Sequence, residues 1–183
     1  PVRVDWNGPT PKPEWNWWDP EPGTLVAQWR TTPYATDWDG DGLTDLVMLD
    51  HEGYLSFFRR KKEGGELVLR PGKRIFKSED GSPLRLNGES AGGSGRRKLT
   101  FADWDQDGDR DLLLNSTNAT LLRNTGGEGE EVTFVREGLV GDRELAGHST
   151  SPTTVDWNED GVPDLLVGGE DGHFYYLKNT NAE

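Results

Sequence analysis

Three short stretches of this chain carry oxygen-bearing side chains on alternating residues, together with a glycine at a fixed place. They begin at Asp37, Asp103 and Asp156, and in each the side-chain oxygens stand at positions 1, 3, 5 and 9, with glycine at position 6. Carboxylates this close repel one another unless a cation lies among them. Oxygen ligands at this spacing, with a glycine that permits a sharp turn, are typical of Ca²⁺ sites. The predicted ligands, including the backbone carbonyl at position 7, are Asp37, Asp39, Asp41, Leu43 and Asp45 in the first loop; Asp103, Asp105, Asp107, Asp109 and Asp111 in the second loop; and Asp156, Asn158, Asp160, Val162 and Asp164 in the third loop.

Position 12 excludes the EF-hand, in which a similar calcium loop joins two helices. The EF-hand loop ends in a bidentate glutamate, whereas position 12 is Met48, Leu114 or Val167 here. Each loop runs directly into a short apolar segment, such as residues 46–49. Apolar runs of this length between turn residues favour strands. The sequence therefore predicts calcium loops that each join two β-strands.

The three loops also make the chain a repeat protein. They recur after 66 residues (37 to 103) and 53 residues (103 to 156), and position 2 is tryptophan each time, at Trp38, Trp104 and Trp157. Their pattern, D-W-[DN]-x-D-G-x-x-D-L-[VL], resembles the FG-GAP or VCBS repeat of integrin-type β-propellers over roughly residues 30 to 180. The resemblance implies an all-β fold of four-stranded antiparallel blades, about three of them plus an N-terminal remnant, with calcium between the first two strands of each. The three tryptophans are then expected to pack between neighbouring blades.

The composition excludes some functions. The formal charge is −13, and three bound Ca²⁺ would bring it to −13 + 6 = −7. An acidic chain is a poor ligand for nucleic acid, whose affinity for proteins comes mainly from lysine and arginine. No apolar run approaches the ~18 residues of a membrane span. The chain has no cysteine, so the redox compartment stays open, and the calcium loops favour an extracellular or periplasmic location.

The chain divides into an irregular segment and three repeats. Residues 1–24, rich in proline and tryptophan, do not match the repeat, which we place at approximately 25–93, 94–144 and 145–183. Either residues 66–69 or residues 73–76 supply an outer strand of the first repeat. The tryptophans at 15, 17 and 18 either offer a stacking platform for sugar rings or cover a blade edge.

Three blades and a remnant leave strand edges exposed, because propellers protect their edges by closing a ring of typically four to eight blades. We therefore interpret the chain as part of a larger propeller, with the remaining blades on another chain or in a missing segment. Two alternatives stay open: residues 1–30 form a degenerate fourth blade, or residues 2–4 pair with the open edge of the third repeat. The chain opens on Pro1, so we expect a mature, trimmed or cleaved product.

A second group of residues is predicted to lie on the face opposite the calcium loops. The segments before each inner strand, and the turns between the second and third strands, must lie at the end of each blade remote from the metal. Loops on a rigid scaffold commonly carry binding or catalysis. Guanidinium groups bind carboxylate or sulfate in a bidentate fork, and histidines titrate near neutral pH. The candidate ligand-binding residues are Arg30, His51, Arg96, Arg97, His148 and His173.

Two functions are compatible with this arrangement. The first is a secreted, calcium-stabilised module that binds a polysaccharide or an extracellular protein on the face opposite the loops. The alternative is a lyase or glycoside hydrolase acting on acidic polysaccharide, with a histidine or Tyr34 as the base and arginine neutralising the uronate. The chain carries neither a recognisable catalytic motif nor a clear pair of uncommitted carboxylates, so we favour the binding module. Fold resemblance cannot decide between them, because such folds host many functions.

Overall fold

The regular secondary structure of the described part of the chain consists of β-strands, which confirms the all-β class. The computed structural model describes residues 1–87, 96–126 and 131–181. Within these residues there is no helix long and apolar enough to span a membrane. The strands are β1 (Tyr34–Thr36), β2 (Asp45–Leu49), β3 (Leu55–Phe58), β4 (Arg60–Glu63), β5 (Glu66–Leu69), β6 (Phe76–Ser78), β7 (Leu99–Ala102), β8 (Asp111–Asn115), β9 (Ala119–Asn124), β10 (Val132–Leu139), β11 (Ser151–Val155), β12 (Asp164–Gly168) and β13 (Phe174–Leu177).

The described residues fall into two compact units. The first is formed by residues 1–77 and 82–97, and the second by residues 78–81 and 98–183. The first unit contains the first loop, and the second unit contains the other two. The expected boundary between the first and second repeats, at residues 93 and 94, lies outside the described residues. The division into residues 1–24 and three repeats stays a prediction.

The first repeat is an antiparallel sheet in the order β1-β2-β3. Its central strand β2 is apolar and largely buried, so it pairs on both sides, with Val47 opposite Tyr34 and Phe57. Of the two segments proposed for an outer strand, residues 66–69 form β5 and pair with β4 in a separate hairpin. Lys73 instead pairs with Phe57 through two backbone hydrogen bonds of 2.9 Å. The outer side of this sheet is thus bordered by two isolated bridges, Phe57 with Lys73 and Tyr54 with Arg85, instead of a continuous strand.

The N-terminal segment packs against the first repeat. Val4 forms a parallel bridge with Leu69, and its side chain joins a buried cluster with Leu69, Met48 and Phe58. The indole of Trp6 donates a hydrogen bond of 2.9 Å to the carbonyl of Thr24, which closes the segment on itself. Pairing of residues 2–4 with the third repeat is therefore wrong, because Val4 gains its backbone and apolar contacts within the first unit.

The second repeat contributes four adjacent antiparallel strands to its sheet, in the order β7-β8-β9-β10. Leucines at successive positions of β8 face opposite sides of the sheet, and both sides are buried. On one side the rings of Phe101 and Phe134 lie with centroids 6.4 Å apart. A β-bulge interrupts β10, where Arg136 pairs with Leu122 but Gly138 pairs with Leu121. The second repeat thus supplies the four antiparallel strands that the sequence predicts for each repeat.

The third repeat is a sheet of three described strands, β11-β12-β13, that packs against the second repeat. Leu165 and Val167 of β12 share a core with Trp104 and Leu113 of the second repeat. Burying aliphatic side chains of this size contributes about 1.5–3 kcal/mol each. The hydroxyls of Thr100 and Thr154 also lie 3.2 Å apart, between β7 and β11. The two repeats of this unit are thus joined mainly by apolar contacts.

Candidate functional site

Each acidic loop joins the first two strands of its repeat, as predicted. The first loop lies between β1 and β2, the second between β7 and β8, and the third between β11 and β12. In all three copies the following strand begins at the position-9 aspartate. The loops therefore lie at one end of their sheets, and the turns between the second and third strands lie at the other end.

The three loops share one pattern of internal hydrogen bonds. The position-6 amide donates to the position-1 carboxylate in each copy, for example from Gly108 to Asp103 at 3.1 Å. The position-7 amide donates to the position-5 carboxylate, for example from Asp109 to Asp107 at 2.9 Å. The position-6 glycines have φ values of 83°, 98° and 87°, a region that other residues adopt at a cost. These bonds and glycines turn the chain so that the carboxylates point inward.

The position-9 aspartates are fully buried and hold each loop to the end of the third strand. In the second loop, Asp111 accepts hydrogen bonds from the amides of Trp104 (3.0 Å) and Asn124 (2.7 Å). The other two aspartates make the equivalent pairs, Asp45 with Trp38 and Arg60, and Asp164 with Trp157 and Asn179. A buried carboxylate needs such donors to offset its lost hydration. Predicted only as metal ligands, these aspartates also connect loop and sheet.

Burial affects the pKa of these aspartates differently in the three loops. Burial, with repulsion from Asp105 and Asp107, raises the pKa of Asp111 to about 6, despite its two backbone hydrogen bonds. Burial and repulsion from other carboxylates of its loop likewise raise the pKa of Asp45. Burial also opposes ionisation of Asp164, but hydrogen bonds, including one from the Tyr176 hydroxyl at 3.0 Å, outweigh it and lower that pKa. A cation bound in the first loop, or in the second, would therefore offset the unfavourable negative charge of its carboxylates.

The first two loops bring three carboxylates within reach of one ion. In the first loop they belong to Asp37, Asp39 and Asp45, and in the second to Asp103, Asp105 and Asp107, with one oxygen of each within 4.8 Å of the others. In the second loop, Asp103 Oδ1 is buried and accepts no hydrogen bond from the part of the chain that the structure describes. A buried anionic oxygen in this position fits a hard cation. The donor sets thus fit calcium.

The third loop is arranged differently. The side-chain amide of Asn158 donates to Asp160 at 2.8 Å, so two of its predicted ligands bond to each other. Among the described residues, it shows no group of three carboxylates comparable to the other two. The carbonyls of Leu43, Asp109 and Val162, and the third site as a whole, stay predicted ligands.

Sequence reasoning missed two buried asparagines. Asn124 ends the third strand of the second repeat, and Asn179 comes shortly after the third strand of the third repeat. Each side-chain amide donates to the position-8 carbonyl of its loop, Arg110 (3.4 Å) or Pro163 (3.1 Å). Each side-chain oxygen also accepts a bond of 3.0 Å from the amide two residues later. The signal was present in the sequence, because an Arg-Asn-Thr or Lys-Asn-Thr triplet stands at the end of the third strand in both repeats.

We expect Asn179→Ala to lower the free energy of unfolding by about 1–3 kcal/mol, because it removes buried hydrogen bonds to the carbonyls of Pro163 and Trp104. Urea denaturation measures this loss. Asn181→Ala is the matched control, since the Asn181 side chain is exposed and also donates to Trp104. Equal losses in the two variants would show that the buried amide has no special part in joining loop and strand.

The tryptophans at position 2 do not share one environment. Trp38 and Trp104 are buried, and the Trp38 ring lies edge-on to Phe76 with centroids 5.1 Å apart. Trp157 is 60 % exposed, and the rings of Phe174 and Tyr176 in the same repeat are exposed as well. The expectation that all three pack between blades is wrong for Trp157, because its ring is largely exposed and no other described repeat of the second unit covers it.

The predicted ligand-binding residues of the first unit are partly engaged elsewhere. Arg30 is exposed and has a φ of 60°, with its guanidinium carbon 4.3 Å from the centre of the Trp29 ring. The carbonyl of His51 accepts a bond of 3.4 Å from the Trp15 indole. Arg97 donates to the carbonyl of Leu86 at 2.9 Å, whereas Arg96 is exposed. Of the three tryptophans at 15, 17 and 18, Trp15 thus contacts the turn that carries His51. Trp17 and Trp18 are exposed.

In the second unit, His148 and His173 both lie at the turn between β12 and β13. His148 Nδ1 lies 3.2 Å from Glu170 Oε1, and His173 Nδ1 lies 3.1 Å from Asp171 Oδ2. Both imidazoles are exposed, and their partners are adjacent in the chain. The structure therefore brings these two histidines to one turn, while the arginines and His51 belong to the first unit.

Comparison with known proteins agrees with this geometry. The model of a family described as FG-GAP-like repeat matches residues 37–114 and 103–167, which together cover more than half of the chain and contain all three loops. No curated protein matches the chain. No solved structure matches it either. The chain belongs to the FG-GAP-like repeat family.

Proposed function

We propose that this chain is a secreted, calcium-stabilised β-propeller module that binds a polysaccharide or protein ligand on the loops remote from its calcium sites. Calcium supplies positive charge to the clustered carboxylates and so stabilises the loop conformation. The residues that hold it are the predicted ligands of the three loops, with the first and second sets the better formed. Repeats of this family are typical of extracellular proteins, which supports a secreted location.

The observation that carries the calcium proposal is the second loop. Three of its carboxylates converge, one buried oxygen of Asp103 has no donor among the described residues, and burial raises the pKa of Asp111. Isothermal titration of chelator-stripped protein with CaCl₂ tests it, and we expect saturable binding. Absence of binding heat at any calcium concentration up to several millimolar, confirmed by equilibrium dialysis, would contradict the proposal.

The strongest support for a ligand-binding surface is the pair Trp29 and Arg30. Both side chains are exposed, and Arg30 adopts a left-handed backbone conformation that costs a residue with a Cβ about 1–2 kcal/mol. A strained residue in an exposed turn motivates a functional hypothesis. An aromatic face beside a guanidinium suits a sugar that carries carboxylate or sulfate. No comparable geometry favours the lyase or hydrolase alternative, which stays a prediction.

We expect Trp29→Ala to weaken binding at least tenfold to the acidic glycan that scores highest on an array probed with the calcium-loaded protein. The physical reason is that alanine lacks the large apolar ring with which Trp29 would contact the sugar. Surface plasmon resonance measures the effect, and Trp17→Ala is the matched control, since Trp17 is 89 % exposed and lies outside the predicted surface. A larger loss for Trp17→Ala would move the surface to the N-terminal segment, and an array without any signal would argue for a protein ligand.

We further propose that the exposed side of the third repeat binds another repeat of the same kind. Within the second unit, the side of the second repeat that carries Trp104 is covered by Leu165 and Val167 of the next repeat. The amide of Asn179, also from that next repeat, donates to the Trp104 carbonyl at 2.8 Å. Trp157 occupies the equivalent place in the third repeat. A further blade, on this or another chain, would cover it in the same way.

A further inference from the structure

We propose that the first and second loops differ in calcium affinity because of the arginine at the end of the third strand of the first and second repeats, Arg59 and Arg123. Arg59 competes with calcium in the first loop, whereas Glu137 holds the equivalent Arg123 away from the second loop. The inference rests on the proposed calcium binding and concerns how strongly each loop binds. Arg59 and Glu137 are positioning residues, since neither is a predicted ligand.

Arg59 contacts two predicted ligands of the first loop. Its Nε lies 2.5 Å from Asp39 Oδ2, and its Nη2 lies 3.1 Å from Asp41 Oδ2. Asp39 is a member of the three-carboxylate group of that loop, but Asp41 is not. The guanidinium therefore neutralises part of the negative charge that would attract calcium, and it holds Asp41 away from the converging oxygens. Calcium entering this loop has to displace these ion pairs.

The second loop keeps its position-5 aspartate in the group of converging carboxylates. Asp107 joins Asp103 and Asp105 there, whereas Asp41, at the same position, pairs with Arg59 in the first loop. Arg123 holds the same place in the second repeat as Arg59 in the first. Its Nε bonds to Glu137 Oε1 at 2.8 Å. The bond to Glu137 thus gives Arg123 a carboxylate partner outside the loop.

A β-bulge places Glu137 for this contact. The residues on either side of it, Arg136 and Gly138, pair with consecutive residues of β9, so Glu137 is the inserted residue of β10. Bulges re-aim side chains and increase the local twist of a strand. Gly138 has a φ of 118°, which favours glycine. In the first repeat the chain after Arg59 instead enters the separate β4–β5 hairpin.

Single-site titrations test the inference. Two of the three loops are disabled in each experiment, so that calcium binds at one loop only. The third loop always carries Asp160→Asn. The second loop carries Asp105→Asn when the first is studied, and the first carries Asp39→Asn when the second is studied. We expect Arg59→Gln to raise the calcium affinity of the first loop about tenfold, because two ion pairs no longer oppose the metal. Arg59→Lys is expected to leave the affinity within about threefold of the parent, since the charge is kept. Arg3→Gln is the matched control, because it removes an exposed arginine that pairs with Glu21.

The second loop provides the converse experiment. We expect Glu137→Gln to lower its calcium affinity about fivefold by freeing Arg123 to approach Asp105, and the added change Arg123→Gln to restore it. If Arg59→Gln and Arg3→Gln change affinity equally, or if Glu137→Gln has no effect, the inference is overturned while calcium binding stands. If no parent loop binds calcium at all, the proposed function itself fails.

Discussion

Removal of calcium with excess chelator is expected to lower the melting temperature of this chain by about 5–10 °C for each site that is filled. An ion that binds only the folded state, at a hundredfold excess over its Kd, stabilises that state by about 2.7 kcal/mol. For a domain of 150–250 residues, each kcal/mol corresponds to roughly 2–4 °C. The metal-free second loop also keeps the burial and the carboxylate repulsion that together raise the pKa of Asp111. Differential scanning calorimetry with and without chelator measures the shift.

Substitution of one ligand separates calcium binding from other effects of the chelator. We expect Asp107→Ala, in calcium, to reproduce part of the shift, because Asp107 belongs to the converging group of the second loop. Asp142→Ala removes an exposed aspartate outside the loops and should leave the melting temperature within about 2 °C of the parent. An unchanged melting curve in excess chelator would refute the structural role of calcium, as would equal effects of the two substitutions.

Trp104→Ala is expected to destabilise the chain by about 3–5 kcal/mol, the usual cost of truncating a buried aromatic side chain to alanine. Trp104 is 5 % exposed and shares a core with Leu165 and Val167, so its removal leaves a cavity between the second and third repeats. Guanidinium denaturation in calcium measures the loss. Trp104→Phe, which keeps most of the apolar volume, should cost clearly less.

Trp157→Ala is the matched control, because Trp157 stands at the same position of the next loop but is largely exposed. Surface substitutions usually change stability by less than about 0.5 kcal/mol, and we expect that result here. A loss as large as that of Trp104→Ala would mean that Trp157 is buried in solution. In an assembly with a further repeat, the same substitution should weaken association.

The loops could be predicted from the sequence because their chemistry is local. A cation site built from alternate residues of one turn needs only the order of Asp37, Asp39 and Asp41 and a glycine at position 6, all of which lie within one short segment. The strands that follow the loops could also be predicted from the sequence, since residues 46–49, for example, form an apolar run bounded by turn residues. The repetition of this unit was sufficient to indicate the family.

The tertiary structure determined how residues at equivalent positions of the repeats differ in burial and in ion pairing. Trp104 and Trp157 occupy the same position of their loops, but only Trp104 of the two is covered by another repeat of the second unit. Arg59 and Arg123 stand at the ends of equivalent strands, but only Arg123 pairs with a glutamate from a bulged strand. Val4 pairs with Leu69, far along the chain. Burial and ion pairing depend on residues distant in sequence, so a local repeat pattern predicts the loops and strands of this protein but not what surrounds them.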